Sequence, residues 1–287
     1  MSVTAALLAA GSGQRFGLPK LLLPAGPGEV LLSRAARLAL AVADDVLCVL
    51  PADAALHRAA LAGLADDRLT LLENPDAPRG MGSSLALAAR TCLERSWSSE
   101  GLLVLPADLP DVDALFLSRL MAAFRSEAAC DASAARDHLG RLQAPAVLRP
   151  RLLAELVSLE ADEGARAILR RPGSKVLAVA FQGELADIDD PAAYRRAALR
   201  LGWDREEAPA VTWLEAPPPL TDVAARGWRI GATLALPVPF HGPGISGYAR
   251  ERLPQGVLRV LCSGERPEER LELLRAAALL SLHDESR

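Results

Sequence analysis

The stretch LLAAGSGQRFGLPKLLLP, residues 7–24, passes from a short apolar run into a glycine-rich loop that carries Arg15 and Lys20. Glycine-rich loops that follow strands often bind phosphates, because backbone N–H groups without a neighbouring Cβ can approach anionic oxygens. A P-loop needs GxxxxGK followed by Ser or Thr, whereas Leu21 follows the lysine here. A dinucleotide-binding turn needs GxGxxG, whereas the spacing here is GxGxxxG. Neither loop fits, which leaves a triphosphate cradle with two cations or a strand-to-helix turn with solvated charges.

Apolar runs alternate with helical patterns along the first two thirds of the chain. The sequence predicts strands at 3–10, 45–51, 69–75 and 101–110 and helices at 30–43, 53–65 and 81–95. Strands that alternate with helices indicate βαβ units and a parallel sheet. Hydrophobic residues make up 51% of the chain but aromatic residues only 4%, so the core must consist mainly of Ala, Leu and Val. We therefore predict an α/β fold with a Rossmann-like, mostly parallel sheet flanked by helices.

The composition changes near residue 204, where a charged segment leads into three consecutive prolines at 217–219. Such a segment is typical of a linker. We predict a first domain at 1–203, a linker at 204–222 and a C-terminal domain of unknown role at 223–287. This small α+β extension has a strand candidate at 256–264 and a final helix at 266–282. The apolar stripe of that helix indicates internal packing rather than a partner surface; it comprises Leu271, Leu274, Ala278 and Leu282.

Charge and composition exclude several classes of protein. The net charge of −4 argues against general binding to nucleic acids. The chain has no run of about 18 apolar residues that could span a membrane, and its first residues lack the pattern of a secretory signal. We therefore expect a cytoplasmic protein. The cysteines are far apart without a CxxC pair, which indicates buried free thiols; they are Cys48, Cys92, Cys130 and Cys262.

A second motif, NPDAPRGMGSSL, occupies residues 74–85. Gly80 would allow a nucleotide base to lie against the main chain, and Ser83 and Ser84 could donate hydrogen bonds at the start of a helix. An ordinary capped helix is the alternative.

Two acidic motifs lie further along the chain. Asp108 leaves the buried strand in LPADLP, and a carboxylate there is costly unless it meets a cation or hydrogen-bond donors. Magnesium commonly takes one or two carboxylates together with phosphate oxygens and water. In ADIDDP, Asp187 and Asp189 would point to the same side of a strand. The alternative for this segment is an acidic cap at Asp190-Pro191.

These four motifs, in this order, resemble the MobA-like nucleotidyltransferases, and most closely their molybdenum cofactor cytidylyltransferase branch. The resemblance implies the nucleotide-diphospho-sugar transferase type of α/β fold and Mg²⁺-dependent transfer of a nucleoside monophosphate with release of pyrophosphate. It implies catalytic roles for Arg15, Lys20 and Asp108, and metal binding by Asp108 and Asp189, with Asp187 as the second choice for the acid of the D-I-D segment. It also implies a nucleotide-binding set of Leu8, Ala9, Ala10, Gly11, Ser12, Gly13, Lys20, Asn74, Gly80, Met81, Ser83 and Ser84.

The same resemblance suggests where the acceptor binds. Arg166 lies in a segment similar to the family's G-x-R-x-[IL]-L stretch. Gln143-Ala144, before Pro145, stands where the family commonly has Gly-His, so the identity of the acceptor is open. We take Gln143, Pro145 and Arg166 as substrate-binding residues.

For the substrates we expect CTP and a phosphorylated pterin, with a molybdenum hydroxylase as a protein partner. CTP is preferred because Ala9-Ala10-Gly11 resembles the cytidylyl branch, whereas the guanylyl branch usually shows Leu-Ala-Gly-Gly. One alternative is a transferase of the same fold that acts on a sugar or polyol phosphate. The other is a non-catalytic nucleotide-binding chaperone for a molybdenum hydroxylase.

Overall fold

The computed structural model describes residues 2–11, 19–97, 99–158 and 164–203, and beyond them 228–230, 233–236, 247–253, 256–262 and 266–284. The chain forms two compact units. Unit 1 comprises Met1–Ser12, Arg34–Ala54 and Leu64–Asp187, and unit 2 comprises Gly13–Ser33, Ala55–Gly63 and Ile188–Arg287. Residues 204–227, which include the predicted linker, lie outside the described residues. The predicted domain boundaries therefore stay predictions.

A seven-stranded sheet forms the centre of unit 1. Its strands are β1 (Val3–Leu8), β2 (Asp45–Pro51), β3 (Leu69–Asn74), β4 (Gly101–Pro106), β5 (Ala132–Arg136), β6 (Leu142–Leu148) and β7 (Val176–Ala180). They lie in the order β3-β2-β1-β4-β6-β5-β7. Only β6 runs antiparallel to its neighbours β4 and β5, while the other pairs are parallel. The predicted α/β fold with a mostly parallel sheet is confirmed.

The central strands are apolar on both faces because helices cover both sides of the sheet. Every residue of β1, VTAALL, is buried. The helices that lie in unit 1 entirely or for the most part are α1 (Leu31–Val42), α3 (Met81–Glu94), α4 (Ala114–Ser126), α5 (Leu153–Val157) and α6 (Ala165–Leu169), whereas α2 (Ala55–Leu61) and α7 (Pro191–Leu201) belong to unit 2. Alternate strand residues such as Ala6, Leu8 and Val104 share one apolar cluster with α3, α5 and α6. On the opposite face, Ser133 Oγ donates a hydrogen bond to the carbonyl of Leu120 in α4 (2.9 Å).

Aspartates cap two of the helices. Asp113 accepts a hydrogen bond from the backbone N–H of Phe116 (2.7 Å) at the start of α4. Asp190 accepts one from the backbone N–H of Ala193 (2.7 Å) at the start of α7, and Pro191 occupies the first helical position. Each carboxylate satisfies a backbone donor that the helix itself leaves without a partner. The cap predicted at Asp190-Pro191 is confirmed.

The C-terminal part of unit 2 is a small α+β extension, as predicted. Its strands are β8 (Trp228–Ile230), β9 (Thr233–Leu236), β10 (Gly247–Leu253) and β11 (Gly256–Cys262), in the order β10-β11-β9-β8, and α8 (Pro267–Asp284) follows them. α8 packs against α2, against β9 and β11, and against the 3₁₀ turn Lys20–Leu22. The predicted stripe of α8 is buried, so its role in internal packing is confirmed: Leu271, Leu274, Ala278 and Leu282.

Two expectations from composition concern thiols and membrane spans. Cys48, Cys92 and Cys130 are buried and lie outside any disulfide, as predicted, and burial raises the pKa of Cys48 to about 12. The side chain of Cys262 lies outside the described residues. In the described part of the chain, no helix combines the length and the apolar character that crossing a membrane requires.

Candidate active site

A cavity of about 290 Å³ lies at the carboxyl end of β4 in unit 1. The polar residues that line it are Asp108, Gln143, Arg166 and Asp187. Its apolar walls come from Val104, Pro106, Leu109, Ala144, Ala165 and Leu185. Small-molecule sites have volumes of about 300–1,000 Å³, so this cavity suits a compact group. Ligand sites in α/β sheets form at such strand ends, where the strand order changes direction.

Asp108 is half-buried at the exit of β4, as predicted. The backbone N–H of Ala107 donates to the carbonyl of Leu8 (3.1 Å), which fixes this turn to the end of β1. Asp187, which the sequence offered as an alternative to Asp189, lines the same cavity. Two carboxylates in one cavity are hard oxygen donors of the kind that Mg²⁺ or Mn²⁺ accepts together with phosphate oxygens and water. This donor set therefore fits a divalent cation.

Gln143 and Arg166 form a hydrogen-bonded chain on another wall of the cavity. Gln143 lies near the start of β6, and Arg166 lies on α6. Gln143 Nε2 donates to the carbonyl of Leu185 (3.3 Å), and Arg166 Nη2 donates to Gln143 Oε1 (3.2 Å). Arg166 is exposed and Gln143 is half-buried. The structure thus brings two predicted substrate-binding residues together on the cavity that Asp108 lines.

Pro145, the third predicted substrate-binding residue, is buried in a bulge of β6. Ala134 pairs with Ala146 and Ala135 pairs with Gln143, so residues 144 and 145 have no partners in β5. A proline is tolerated inside a sheet at such a bulge because no ladder hydrogen bond is needed there. Pro145 does not line the cavity, and its role in substrate binding stays a prediction.

The side chains of the Asn74–Ser84 segment contact one another. Asn74 is 2% exposed, and its Nδ2 donates to both Ser83 Oγ and Ser84 Oγ at 3.0 Å. Its Oδ1 accepts from the backbone N–H of Asp76 (3.0 Å), and Ser83 Oγ donates to the carbonyl of Gly80 (2.8 Å). This network fixes the turn between β3 and α3. Nucleotide binding by Asn74, Ser83 and Ser84 stays a prediction.

Gly80 and Met81 form the entrance to α3. Gly80 has a φ of +119°, which side-chain-bearing residues rarely adopt, so the turn requires glycine at this position. Met81 follows with 53% of its surface exposed and lines the cavity. A thioether there is accessible to a ligand.

The opening loop is described only in part. Ser12, Gly13 and Arg15, three residues with predicted roles, lie outside the described residues. Before them, Leu8, Ala9 and Ala10 are buried, and the N–H of Ala9 donates to the carbonyl of Val49 (2.9 Å). Gly11 is exposed, and a Cβ built on it meets no described atom within 4 Å. Nucleotide binding by these residues stays a prediction.

Lys20 lies in unit 2, at the start of the 3₁₀ turn Lys20–Leu22. Its Nζ donates to the carbonyl of Ile188 (2.7 Å) and lies 3.5 Å from Asp189 Oδ1. The lysine side chain is 10% exposed and that of Asp189 is 46% exposed. Residues 184–189 have no regular strand structure, so strand alternation does not orient the two aspartates. The structure shows Asp189 as the ionic partner of Lys20, and its metal-binding role stays a prediction.

The sequence did not single out the carbonyl of Leu185, because a backbone acceptor has no residue-type signal. The sequence named Asp187 only as the second choice of metal ligand after Asp189, because the D-I-D pattern does not show which of its two aspartates lies at the cavity.

The MobA-like NTP transferase domain matches residues 5–176, more than half of the chain. The chain belongs to this family. The match ends at the start of β7, so the sheet of unit 1 lies almost entirely within the family domain. The chain is therefore a nucleotidyltransferase of the MobA-like family.

Solved structures of several nucleotidyltransferases and related proteins share this fold. Rv0371c from Mycobacterium tuberculosis H37Rv is 26% identical, with 69% of this chain and 97% of that chain covered and a TM-score of 0.58. Its complex with manganese is 24% identical, with 69% of this chain and 98% of that chain covered and a TM-score of 0.55. The 4-diphosphocytidyl-2C-methyl-D-erythritol synthase of Anaerococcus prevotii DSM 20548 is 14% identical, with 70% of this chain and 96% of that chain covered and a TM-score of 0.54.

The inositol-1-phosphate CTP transferase of T. maritima is 18% identical, with 70% of this chain and 94% of that chain covered and a TM-score of 0.53. These matches establish a common fold for the nucleotidyltransferase part. No curated protein matches the chain in sequence.

Proposed function

We propose that this chain is a divalent-metal-dependent cytidylyltransferase that transfers CMP from CTP to the terminal phosphate of a molybdopterin-type cofactor. The observation that carries the proposal is the cavity at the end of β4. It combines Asp108, a carboxylate suited to a metal, with Arg166, a cation suited to an anionic acceptor. This arrangement is the one that phosphoryl-group chemistry needs, because the protein mainly positions charged groups and neutralises developing charge.

In the proposed reaction, an oxygen of the acceptor phosphate forms a bond to the α-phosphorus of CTP. The bond between the α-phosphorus and the bridging oxygen breaks, and pyrophosphate leaves with that electron pair. Because the attacking phosphate is already an anion, the step requires no general base. A bound Mg²⁺ would supply Lewis-acid stabilisation of the phosphate oxygens.

The residues of the chain have separate roles in this proposal. Asp108 is our first choice of metal ligand, and Asp189 keeps the second ligand role that the resemblance implies. Asp187 is a further candidate because it shares the cavity with Asp108. Arg15 and Lys20 are assigned to the β- and γ-phosphates, where paired cations would stabilise the leaving pyrophosphate. A divalent cation is supported further by the manganese complex of Rv0371c.

CTP remains the first nucleotide to test. The Ala9-Ala10-Gly11 start is similar to the cytidylyl branch of the family, and two of the solved structures with this fold are named as cytidylyl or CTP enzymes. One of those names also specifies a polyol phosphate acceptor, inositol 1-phosphate. A sugar or polyol phosphate is therefore the second candidate acceptor for this chain.

The test is a pyrophosphate-release assay with the full chain. CTP, GTP, ATP and UTP are each combined with Mg²⁺ or Mn²⁺ and with molybdopterin, inositol 1-phosphate or a sugar 1-phosphate. We expect release with CTP and molybdopterin, dependent on the metal. Release with a polyol phosphate but not with molybdopterin would replace the acceptor, and another preferred nucleotide would replace CTP. Nucleotide binding without release in any combination would favour the chaperone that delivers cofactor to a molybdenum hydroxylase.

A further inference from the structure

Among the described residues that line the cavity, Arg166 is the cationic one, and it is hydrogen-bonded to Gln143. A guanidinium has five N–H donors in a planar fork. One of them, on Nη2, is donated to Gln143 Oε1 at 3.2 Å. None of the ion pairs among the described residues involves Arg166. Among the described residues, the hydrogen-bond partner of this guanidinium is therefore a neutral group that adds no negative charge.

Gln143 can orient Arg166 because its own amide is held in one orientation. Nε2 donates to the carbonyl of Leu185 (3.3 Å), and a carbonyl accepts only from the NH₂ side of the amide. Oε1 must then point the other way, toward Arg166. An alanine at this position would remove the support, and a glutamate would lose the donor to Leu185 and also add a negative charge.

The fold brings this chain of hydrogen bonds to the cavity. β6 is antiparallel to β4, and Ala146 pairs with Val104, so Gln143 lies toward the carboxyl end of β4. The backbone segment around Leu185 and the helix of Arg166 flank the same cavity. Three segments that are distant in sequence therefore contribute to one hydrogen-bonded unit.

The charges of the cavity indicate what Arg166 would bind. Asp108 and Asp187 make the cavity acidic, so an anionic ligand requires a compensating cation on its wall. A guanidinium binds phosphate oxygens through two parallel N–H···O bonds, a geometry that lysine cannot reproduce. The apolar residues around it, including Val104 and Leu109, leave space for the organic part of a compact ligand.

We propose that Gln143 is a positioning residue that directs Arg166 onto the phosphate monoester of the acceptor, and that this pair selects acceptors by that phosphate. The proposal rests on the proposed function for the identity of the reaction. It deepens that function by assigning acceptor selection to two residues, one of which occupies a position where the family commonly has a different side chain.

The kinetic test uses the acceptor and nucleotide that the wild-type chain turns over best. We expect R166A to raise the KM for the acceptor about 10- to 100-fold, because hydrogen bonds to a charged group are lost. R166K should raise this KM by less than R166A does, but it should not give the wild-type value. Q143A should raise this KM about 3- to 10-fold, and Q143E should raise it more because the carboxylate neutralises Arg166. In all four variants the KM for the nucleotide should stay at the wild-type value.

Two exposed residues of unit 1 give matched controls. R170K changes an arginine at the C-terminal end of α6, and Q182E makes the same charge change as Q143E on an exposed loop. Both should leave every kinetic constant unchanged. Equal increases in the KM for acceptor and nucleotide, or no change in Q143E, would overturn the inference while the proposed function stands.

A binding measurement keeps the inference testable if no acceptor is turned over. Calorimetric titration of the wild-type chain, R166A, Q143E and Q182E with inorganic phosphate in the presence of Mg²⁺ measures the anion site directly. We expect weaker binding in R166A and Q143E than in the wild type and Q182E. The same affinity in all four proteins would contradict the inference, whereas absence of pyrophosphate release alone contradicts only the proposed function.

Discussion

The same five residues, VLPAD, end two strands of the sheet in unit 1. They occupy residues 49–53 at the end of β2 and 104–108 at the end of β4. In the first copy Asp53 is exposed and is not among the residues that line the cavity, while in the second copy Asp108 is half-buried and lines it. Identical local sequence therefore gives two different environments.

The neighbours of each strand explain the difference. β2 lies between β1 and β3, which both run parallel to it, so its neighbours in the sheet end at the same edge as β2 does. β4 lies between the parallel β1 and the antiparallel β6. Because β6 is antiparallel to β4, the start of β6 lies at the carboxyl end of β4, and it brings Gln143 there. A parallel neighbour has its carboxyl end at that edge instead, and would contribute the loop that follows it. The position of a strand in the sheet, rather than its sequence, creates the site.

The first prediction separates the two copies by activity. Asp108→Asn should lower the rate of pyrophosphate release about 1,000-fold or more, because stabilisation by a bound metal is worth several kcal/mol. Asp53→Asn, the identical change in the identical pentapeptide, should leave the rate unchanged. Steady-state assays at saturating CTP, with circular dichroism as a check of folding, measure both variants. Full activity in Asp108→Asn would remove this residue from the metal site.

Much of the fold, but less of the site, can be predicted from the sequence. The parallel strands β1 to β4 are predicted to within a few residues, because each contains a run of mainly apolar residues. β5 and β6 are not predicted, because ASAAR and LQAPAVL contain Ala, Gln and Pro, which are poor strand formers. Their strand structure depends on pairing inside the sheet.

For the site, the two VLPAD copies show why local pattern is insufficient. Only the order of several motifs along the chain distinguished Asp108 from Asp53. The hydrogen bonds that join Gln143 to Arg166 and to Leu185 connect segments separated by 23 and 42 positions, and no spacing rule predicts them. Likewise, D-I-D could not show that Asp187 lines the cavity whereas Asp189 contacts Lys20.

The second prediction concerns the start of β4. A Cβ on Gly101 would lie 2.8 Å from the ring of Phe124 and 3.1 Å from the carbonyl oxygen of Leu148. Phe124 is fully buried, and the guanidinium of Arg149 stacks on its ring at 3.8 Å, so the ring has little space to move. Gly101→Ala should therefore lower the free energy of unfolding by about 1–3 kcal/mol, the usual cost of overpacking. Urea denaturation of the variant and the wild type measures this difference in the free energy of unfolding.

Gly63→Ala is the control for that change, since a Cβ at Gly63 meets nothing within 4 Å. It should alter the free energy of unfolding by no more than about 0.5 kcal/mol. Equal stability of the Gly101 variant and the wild type would show that the start of β4 tolerates a Cβ against Phe124, and that packing there is no tighter than at Gly63.

The third and smallest prediction compares the alanines of the two VLPAD copies. Ala107 is 4% exposed, and its turn is bonded to the end of β1, whereas Ala52 is exposed. Ala107→Val adds two methyl groups to a packed turn and should lower the free energy of unfolding by about 1–2 kcal/mol. Ala52→Val should change it by less than about 0.5 kcal/mol. Because the flanking residues are identical in both pentapeptides, the comparison matches the change in residue type and in local sequence. A difference near zero in paired urea denaturation curves would mean that the two turns are equally tolerant, and that the packing at the end of β4 does not distinguish it from β2.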